Sequence, residues 1–213
     1  MQNFLLSLVP SEIRQRRKDH LNFSREKVLR RLENTKTQRK DFIWYILDQQ
    51  RRGAISQDEV IVNSALFIVA GSETTANLLS GLTARLIRNP RPYKKLCEEI
   101  RGAFKTEADI KFEELLKLPY LNACLEEGLR IHPPVPTGLL RTVPKGGATI
   151  DGHFVPEGTS VATGSWSAAH NPVNFSQPDE FIPERWLEPG WEEDKKKAAQ
   201  PFSLGPRGCI GKQ

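Results

Sequence analysis

The sequence contains few cysteines, and none of them lies in a paired motif. Its three cysteines, in a chain of 213 residues, form no CxxC pair and no even-numbered framework of the kind that staples small secreted domains. This scarcity favours a reducing compartment, where a thiol serves for packing, for ligation or for reactivity. The three positions are Cys97, Cys124 and Cys209.

Long apolar runs are also missing. The opening stretch MQNFLLSLVP is apolar for about nine residues before Pro10, whereas a bilayer-spanning helix needs roughly twenty. It has neither the basic start nor the small-residue cleavage site of a secretory signal peptide. We therefore expect no membrane span here, and we expect the stretch to form a buried helix end or a loop.

No strong charge of one sign is present. The formal net charge is +5, and the basic residues are spread out, with short runs at residues 14–18 and 195–197. No nucleic-acid-binding motif accompanies these runs, so they predict docking of a protein partner rather than binding of nucleic acid. With 38% hydrophobic and 27% charged residues, the chain is typical of a soluble globular protein, either one domain or one large piece of a bigger domain.

Hydrophobic periodicity predicts a mainly helical fold with one small antiparallel sheet. A basic helical region at residues 11–52 ends at Gly53. The next helix is the longest, because Ser56 and Glu59 form a capping box at its start and Pro90 stops it about 33 residues later, or about 50 Å. Further helices are predicted at residues 92–104, from about residue 112, and between the prolines of 119–133.

Strands are predicted only after residue 138. In ATIDGHFVPEGTSVA, the pair Asp151-Gly152 favours a tight hairpin turn between two short strands. Residues 171–200 are rich in proline and charge and predict an ordered meander. Because the longest helix is so apolar in its middle, we expect it to cross the interior of a domain larger than a helical bundle.

Polar residues interrupt that apolar middle in the stretch AGSETT, residues 70–75. A mid-helix glycine costs about 1 kcal/mol relative to alanine, and a buried carboxylate costs more unless it is paired. One interpretation is that Glu73 points to solvent and that Gly71 allows close helix packing. The functional alternative is a weak point where a ligand approaches the backbone, beside an acid and an alcohol, Glu73 and Thr74, that relay protons.

A second polar site lies in EEGLR, where Glu127 and Arg130 are three residues apart on one helical face. The neighbouring leucines predict that this pair is buried, and a buried pair needs further partners. Arg185, in FIPERW, is the candidate third member. A network of one acid and two arginines would tie the helix to the meander.

The third site is the closing stretch PFSLGPRGCIGKQ. A phosphate-binding loop fails on spacing, because GxxxxGK[ST] needs glycine where Pro206 stands and serine or threonine where Gln213 stands. An ordinary buried thiol is another alternative. However, the glycines at 205, 208 and 211 leave room for a large flat group and free amide groups to point at the sulfur of Cys209. A thiolate stabilised in this way is a metal ligand, and a single protein sulfur suits a haem iron.

With these motifs in this order, the chain resembles the cytochrome P-450 superfamily of haem-thiolate monooxygenases. FSLGPRGCIG matches the family's F-x-x-G-x-R-x-C-x-G loop at every specified position, and AGSETT matches the oxygen-binding stretch of its central helix. EGLR matches E-x-x-R, and FIPERW matches the PER segment, with Trp186 where phenylalanine is more usual. The sequence is most similar in style to filamentous-fungal members, many of which tailor secondary metabolites.

The resemblance implies haem b as the cofactor and Cys209 as its thiolate ligand, with Phe202 and Gly211 close by. Arg207 and Arg141 would contact the haem propionates. By the same resemblance, Glu73 and Thr74 would deliver protons to bound oxygen.

The resemblance also implies that Glu127, Arg130 and Arg185 form a structural triad. It implies a lipophilic substrate in an apolar pocket. The residues expected to line that pocket are Ala65, Val69, Ala70, Val135, Leu139 and Leu140.

An oxidoreductase of this family would take electrons from NADPH through a reductase partner. The acidic reductase would dock on a basic face that includes residues 195–197, Arg207 and Lys212. The family would place such an enzyme on the cytosolic face of the endoplasmic reticulum.

Family members are about twice this long, so the resemblance describes residues 1–213 as the C-terminal half of a haem-thiolate domain. We expect the membrane anchor and the lid over the pocket to lie outside this chain, and the helix beside the cysteine to be cut short. A chain of this extent is expected to bind haem poorly. The alternative hypothesis is a truncated non-catalytic relic or a helical interaction fragment, which upstream coding sequence and a red colour of the purified protein would distinguish.

Overall fold

The computed structural model describes residues 10–33 and 40–212. The prediction made for the opening stretch before Pro10 lies outside the described residues. Helices dominate the described part of the chain, as predicted. In chain order they are α1 (Ser11–Glu33), α2 (Phe42–Arg51), α3 (Gln57–Arg88), α4 (Pro90–Ala103), α5 (Phe112–Leu115), α6 (Pro119–Ile131) and α7 (Ser165–Ala169).

Local side-chain chemistry explains where these helices begin. The N–H of Ser56 donates to Glu59 Oε2 at 2.7 Å, and the N–H of Glu59 donates to Ser56 Oγ at 3.2 Å. The predicted capping box at the start of α3 is therefore confirmed. Pro90 and Pro119 occupy the first turns of α4 and α6, where the missing proline N–H leaves no helical hydrogen bond unmade.

The described residues divide into two compact units, with the boundary inside α3 between Glu73 and Thr74. The first unit has a small apolar core formed by Val28, Leu47, Val60 and Ile61. The second unit has a larger core in which residues of α3, α4 and α6 meet. Its members are Leu82, Leu86, Leu96, Tyr120, Cys124, Ile131 and Phe181.

The predicted hairpin is confirmed. Strands β2 (Ala148–Ile150) and β3 (His153–Val155) pair antiparallel, with Thr149 opposite Phe154. Asp151 and Gly152 form the turn with φ values of 49° and 78°. Two successive positive φ angles are the requirement of the type I′ turn that Asp-Gly favours.

The described residues contain two small antiparallel sheets where one was predicted. Strands β1 (Arg141–Thr142) and β4 (Ser160–Val161) pair with each other as a separate antiparallel ribbon. Pro144 and Pro156 stand between this ribbon and the hairpin. Since proline has no N–H, the ladder of hydrogen bonds cannot continue through these positions.

The middle of α3 is exposed in the described residues, which agrees with the interpretation that Glu73 points to solvent. Leu66 and Leu79 are 60% and 52% exposed, and Gly71, Ser72 and Glu73 also lie at the surface. Among the described residues, nothing lies within 4 Å of a Cβ built on Gly71.

Candidate functional site

The structure brings Glu127, Arg130 and Arg185 together in the second unit. Glu127 and Arg130 lie on α6, and Arg185 lies in the 3₁₀ turn Pro183–Trp186. Arg130 donates to both Glu127 carboxylate oxygens at 2.8 Å, and Arg185 Nε donates to Glu127 Oε1 at 3.1 Å. All three side chains are fully buried, so each charge depends on the others for its stabilisation.

Two members of this network were not predicted. Trp186 Nε1 donates to Glu127 Oε2 at 3.0 Å, and Asp194 accepts a short hydrogen bond from Arg185 Nη1. Asp194 also accepts from the N–H of Ser176. The sequence signal for Trp186 was its replacement of the usual phenylalanine, since tryptophan adds one N–H donor to an apolar ring. Asp194 is an aspartate in a charged meander, where the sequence pattern carries no such signal.

A second polar cluster lies beside this network and joins α4, α6 and the 3₁₀ turn. Lys95 Nζ donates to Glu184 Oε1 at 2.7 Å, and Tyr120 Oη donates to the same oxygen at 3.1 Å. Burial alone would raise the pKa of the Glu184 carboxyl, but these hydrogen bonds, the Lys95 bond foremost, lower it below its ordinary value of 4.5. The bond to Glu184 likewise raises the pKa of Lys95.

Burial distinguishes the three cysteines. Cys124 is fully buried in the core of the second unit, and burial followed by the nearby Glu184 charge raises the pKa of its thiol to about 12. Cys97 is partly buried on α4, whereas Cys209 is exposed. Metal binding and nucleophilic attack both need an accessible thiolate. Cys209 is the exposed thiol of the three, so it is the one placed for either role.

The loop around Cys209 is held by its own backbone. The N–H of Cys209 donates to the carbonyl of Phe202 at 2.8 Å, which closes the loop. Gly205 has a φ of 69°, a left-handed conformation that a side chain would strain. The N–H of Gly208 donates to the carbonyl of Gly205 at 2.9 Å, so this glycine's amide serves the turn and not the sulfur, contrary to the expectation for the loop.

The thiol is exposed in a loop that also carries exposed apolar side chains. Leu204 and Ile210 of this loop are 69% and 64% exposed. A Cβ built on Gly211 would lie 3.8 Å from the cysteine sulfur, so glycine keeps the sulfur's surroundings clear. The other predicted haem contacts are a partly buried Phe202, an exposed Arg207 and an exposed Arg141, whose Nη1 donates to the carbonyl of Leu140 at 2.9 Å.

The predicted proton-delivery and pocket residues have differing exposures. Glu73 is exposed and Thr74 is partly buried, while Ser72 Oγ donates to the carbonyl of Ile68 at 2.6 Å within the helix. Of the predicted pocket residues, Ala65 alone is buried; the exposed ones are Val69, Ala70, Val135, Leu139 and Leu140.

These residues fit a haem held by a single sulfur. The loop combines an exposed thiol, glycines beside it, large exposed apolar side chains for a porphyrin face, and an exposed arginine for a carboxylate. No group of three or more His, Cys, Asp or Glu among residues 10–33 and 40–212 is placed to hold a bare metal ion. A haem iron needs no such group, because its porphyrin supplies four of the ligands.

None of the helices in the described residues has the length and apolarity needed to cross a bilayer.

The chain belongs to the cytochrome P-450 family, whose sequence model matches residues 9–213. It is 50% identical over 207 residues to the cytochrome P-450 monooxygenase aba2 of Botryotinia fuckeliana, covering 96% of this chain and 39% of that protein. It is 44% identical to the cytochrome P-450 monooxygenase efuB of Hormonema carpetanum, over 100% of this chain and 43% of that protein. The corresponding protein astA of Talaromyces wortmannii is 44% identical, over 99% of this chain and 43% of its own length.

These relatives are fungal, as the style of the sequence indicated, and this chain spans about two fifths of the length of each of them.

Proposed function

We propose that this chain is the haem-binding part of a monooxygenase that inserts one oxygen atom from O2 into a lipophilic organic substrate. The observation that carries the proposal is the exposed Cys209 thiol, framed by glycines and exposed apolar side chains in a loop closed onto Phe202. The relatives named as monooxygenases support it.

The cofactor of the proposed enzyme is haem b, and Cys209 would hold it as a thiolate. When bound, a thiolate-ligated haem supplies the activation of O2 that oxygen insertion requires. Phe202 and Gly211 would border the sulfur. Arg207 and Arg141 are exposed cations that would pair with the propionates, and their guanidinium groups suit a carboxylate in two-point contact.

Glu73 and Thr74 are the proposed proton-delivery pair on α3. The overall reaction consumes O2, two electrons and two protons, and it yields the oxygenated product and water. Glu73 is exposed to solvent, and a hydroxyl such as that of the partly buried Thr74 can both donate and accept a hydrogen bond. The acid and the alcohol would thus relay protons from water.

The proposed substrate is apolar, because the candidate pocket residues carry hydrocarbon side chains. In a fungal protein of this family, a role in secondary-metabolite biosynthesis follows as part of the proposal. The proposed electron donor is an NADPH-dependent cytochrome reductase, which would dock on the basic face formed by residues 195–197, Arg207 and Lys212.

A spectroscopic experiment tests the proposal. The chain is mixed with haem, reduced and exposed to carbon monoxide, and the Soret band is recorded. We expect a thiolate-type band at some haem concentration, and we expect Cys209→Ser to abolish it because an alcohol is a far weaker ligand than a thiolate. Cys97→Ser is the matched control, since Cys97 is a partly buried thiol on α4, outside the proposed site.

The alternative, a non-catalytic relic, gives a different result. If no thiolate-type band forms at any haem concentration, or if the band survives Cys209→Ser and is lost in Cys97→Ser, the proposed site is wrong.

A further inference from the structure

Gly81 and His132 make an unusually close contact between α3 and the end of α6. A Cβ built on Gly81 would lie 2.1 Å from Cδ2 of the His132 ring, and 2.6 Å from Cγ. These distances are far below any non-bonded contact, so the ring occupies the space that a side chain at position 81 would need. Glycine is therefore required here by packing.

A second glycine makes the contact reciprocal. A Cβ built on Gly128 of α6 would lie 3.1 Å from Leu82 Cδ1 and 3.5 Å from Leu78 Cδ1 of α3. Each helix thus offers a glycine to side chains of the other. Because two positions are matched at once, this packing determines how far α6 can slide along α3.

A hydrogen bond adds direction to the packing. His132 Nε2 lies 2.7 Å from Asn77 Oδ1, across 55 positions of sequence. An amide oxygen only accepts, so Nε2 carries the hydrogen in this arrangement. Asn77 is three residues after Thr74 on α3, and residues three apart lie on the same face of a helix about 4.5 Å apart along its axis.

His132 directly precedes the segment of residues 133–140, which contains three of the predicted pocket residues. Its N–H donates to the carbonyl of Gly128 at 2.9 Å, and Pro133 prevents the helix from continuing. The far part of the segment has anchors of its own. The carbonyl of Pro136 accepts from the N–H of Trp166 at 3.1 Å, and a Cβ built on Gly138 would lie 2.6 Å from Ala162 Cβ.

The segment is therefore held at two ends, with exposed apolar side chains between and after the anchors. Leu139 and Leu140 are 56% and 72% exposed, so neither is held by burial in the core. Their position depends on the anchors before them and on strand β1, which begins at the next residue. A change at the His132 end would be transmitted along a short, proline-rich segment that has little freedom to absorb it.

We propose that Asn77 and His132, with Gly81, are positioning residues that set residues 133–140 relative to the part of α3 that carries Thr74, and thereby determine how a substrate is oriented. The inference rests on the proposed monooxygenase function for its substrate, but the placement of the segment does not depend on haem. The device consists of one ring, one amide and one glycine. It is separate from the buried network around Glu127.

Amide hydrogen exchange in the haem-free chain tests the placement. The reporter is the N–H of Trp166, whose acceptor is the carbonyl of Pro136 in the segment. In Gly81→Ala, we expect this amide to exchange about tenfold faster, which corresponds to about 1.4 kcal/mol of docking free energy. The amide of Ala168, bonded to Gly164 within the neighbouring turn, and the amides of the 148–155 hairpin should change less than about twofold.

Two further variants keep the test interpretable. His132→Phe retains a ring over Gly81 but removes the bond to Asn77. It should make the Trp166 amide exchange about threefold faster. Gly102→Ala is the matched control, because Gly102 also lies in a helix and a Cβ built there meets nothing within 4 Å. If all amides of the second unit accelerate together in Gly81→Ala and His132→Phe, the contact is merely structural and the proposal is wrong.

Ligand binding to the haem-loaded chain tests the link to substrate orientation. The probe is 4-phenylimidazole, which binds a haem iron and projects an apolar ring into the space beside it. We expect its Kd to change at least threefold in His132→Phe and Gly81→Ala, and to change less than twofold in Gly102→Ala. If the Kd is unchanged while exchange of the Trp166 amide is faster, only the role in substrate orientation is refuted, and the placement of the segment stands. If the chain loads no haem at all, the result counts against the proposed function, and the exchange result still stands.

Discussion

Glu127 accepts five hydrogen bonds, which makes it the centre of the buried network. Two come from Arg130, and one each comes from Arg185, Trp186 and the N–H of Ile182. A fully buried carboxylate is stable only when its lone pairs are used in this way. The residue therefore ties α6 to the 3₁₀ turn Pro183–Trp186 by polar contacts, in a place where apolar packing alone would not specify the arrangement.

Arg130→Leu is expected to damage folding more than any exposed arginine substitution. Arg130 makes two bonds to Glu127 and three to the carbonyls of Ala169, Pro178 and Glu180. Its loss leaves those acceptors buried and a carboxylate with fewer partners, so we expect the free energy of unfolding to fall by about 3–5 kcal/mol. The measurement is urea denaturation monitored by tryptophan fluorescence.

The control for this prediction is Arg101→Leu, at an exposed position near the end of α4, with an expected change within about 0.5 kcal/mol. A soluble Arg130→Leu protein with the same midpoint as the unsubstituted chain would show that the network contributes no net stability.

At the scale of elements, the helices with chemical start and stop signals were the predictable ones. The capping box at Ser56 and the prolines at 90 and 119 each act through the local backbone, so they can be recognised from the sequence. The split of the strands into two ribbons was missed, although Pro144 and Pro156 carry its cause, because pairing partners depend on which segments meet in space. For the middle of α3, the sequence left two interpretations of Glu73 open, since periodicity reports which face of a helix is apolar and not what lies against it.

The link between α4 and the 3₁₀ turn through Lys95 and Glu184 should make stability depend on pH. Glu184 has a lowered pKa in the folded chain, so its contribution is fully present above about pH 4.5 and is lost as the pH falls through the folded value. Lys95 has a raised pKa, so its contribution is present below about pH 10.5 and is lost as the pH rises through the folded value. Glu184→Gln should therefore cost about 1.5–3 kcal/mol near neutral pH and progressively less in acid.

Urea denaturation between about pH 3 and about pH 7 measures this dependence. The control is Glu98→Gln, at an exposed carboxylate of α4, the helix that carries Lys95. It should leave the pH profile of stability the same as in the unsubstituted chain. A cost for Glu184→Gln that stays constant down to the lowest pH would contradict the assigned charge state of Glu184.

The 3₁₀ turn Lys196–Ala198 and its neighbours carry the basic face proposed for a reductase. Lys195→Gln combined with Lys197→Gln should slow electron transfer from an NADPH-cytochrome reductase several-fold at low ionic strength, and the difference should fade with added salt because surface charges are screened. Lys196 is left in place because its Nζ lies 5.9 Å from the centre of the Trp186 ring. Stopped-flow reduction of the haem-loaded chain measures the rate.

Neutralising Lys105 and Lys111 instead gives a control with the same change in net charge at another exposed region. Equal rates for the two double variants at low salt would show that the face around Lys195 has no special part in docking.

At the scale of the whole chain, sequence motifs indicated the residues of the candidate site better than they indicated which residues surround them. Cys209, Arg207 and the glycines form a contiguous motif, and the Glu127–Arg130 spacing lies within one helical turn, so short-range pattern is enough to propose them. Asp194, Trp186 and the His132–Gly81 contact join positions that are distant in sequence. Such pairs are set by tertiary packing, and only Trp186, through its residue type, carried a sequence signal.

The last prediction concerns how well residues 1–213 hold haem. Cys209 is exposed, Leu204 and Ile210 of the same loop are mostly exposed, and so are Leu139 and Leu140 of the candidate pocket. Water would therefore reach the sulfur, which weakens a thiolate–iron bond and favours protonation or oxidation of the thiol. We expect substoichiometric haem after gel filtration, with only a weak thiolate-type band in the reduced carbon monoxide complex.

Alkylation with iodoacetamide gives a second readout of the same site. Cys209 should react before the buried Cys124, and saturating haem should slow the reaction at Cys209 alone. A stoichiometric, stable thiolate-type band would overturn the prediction, because it would show that the described loop excludes water without further cover.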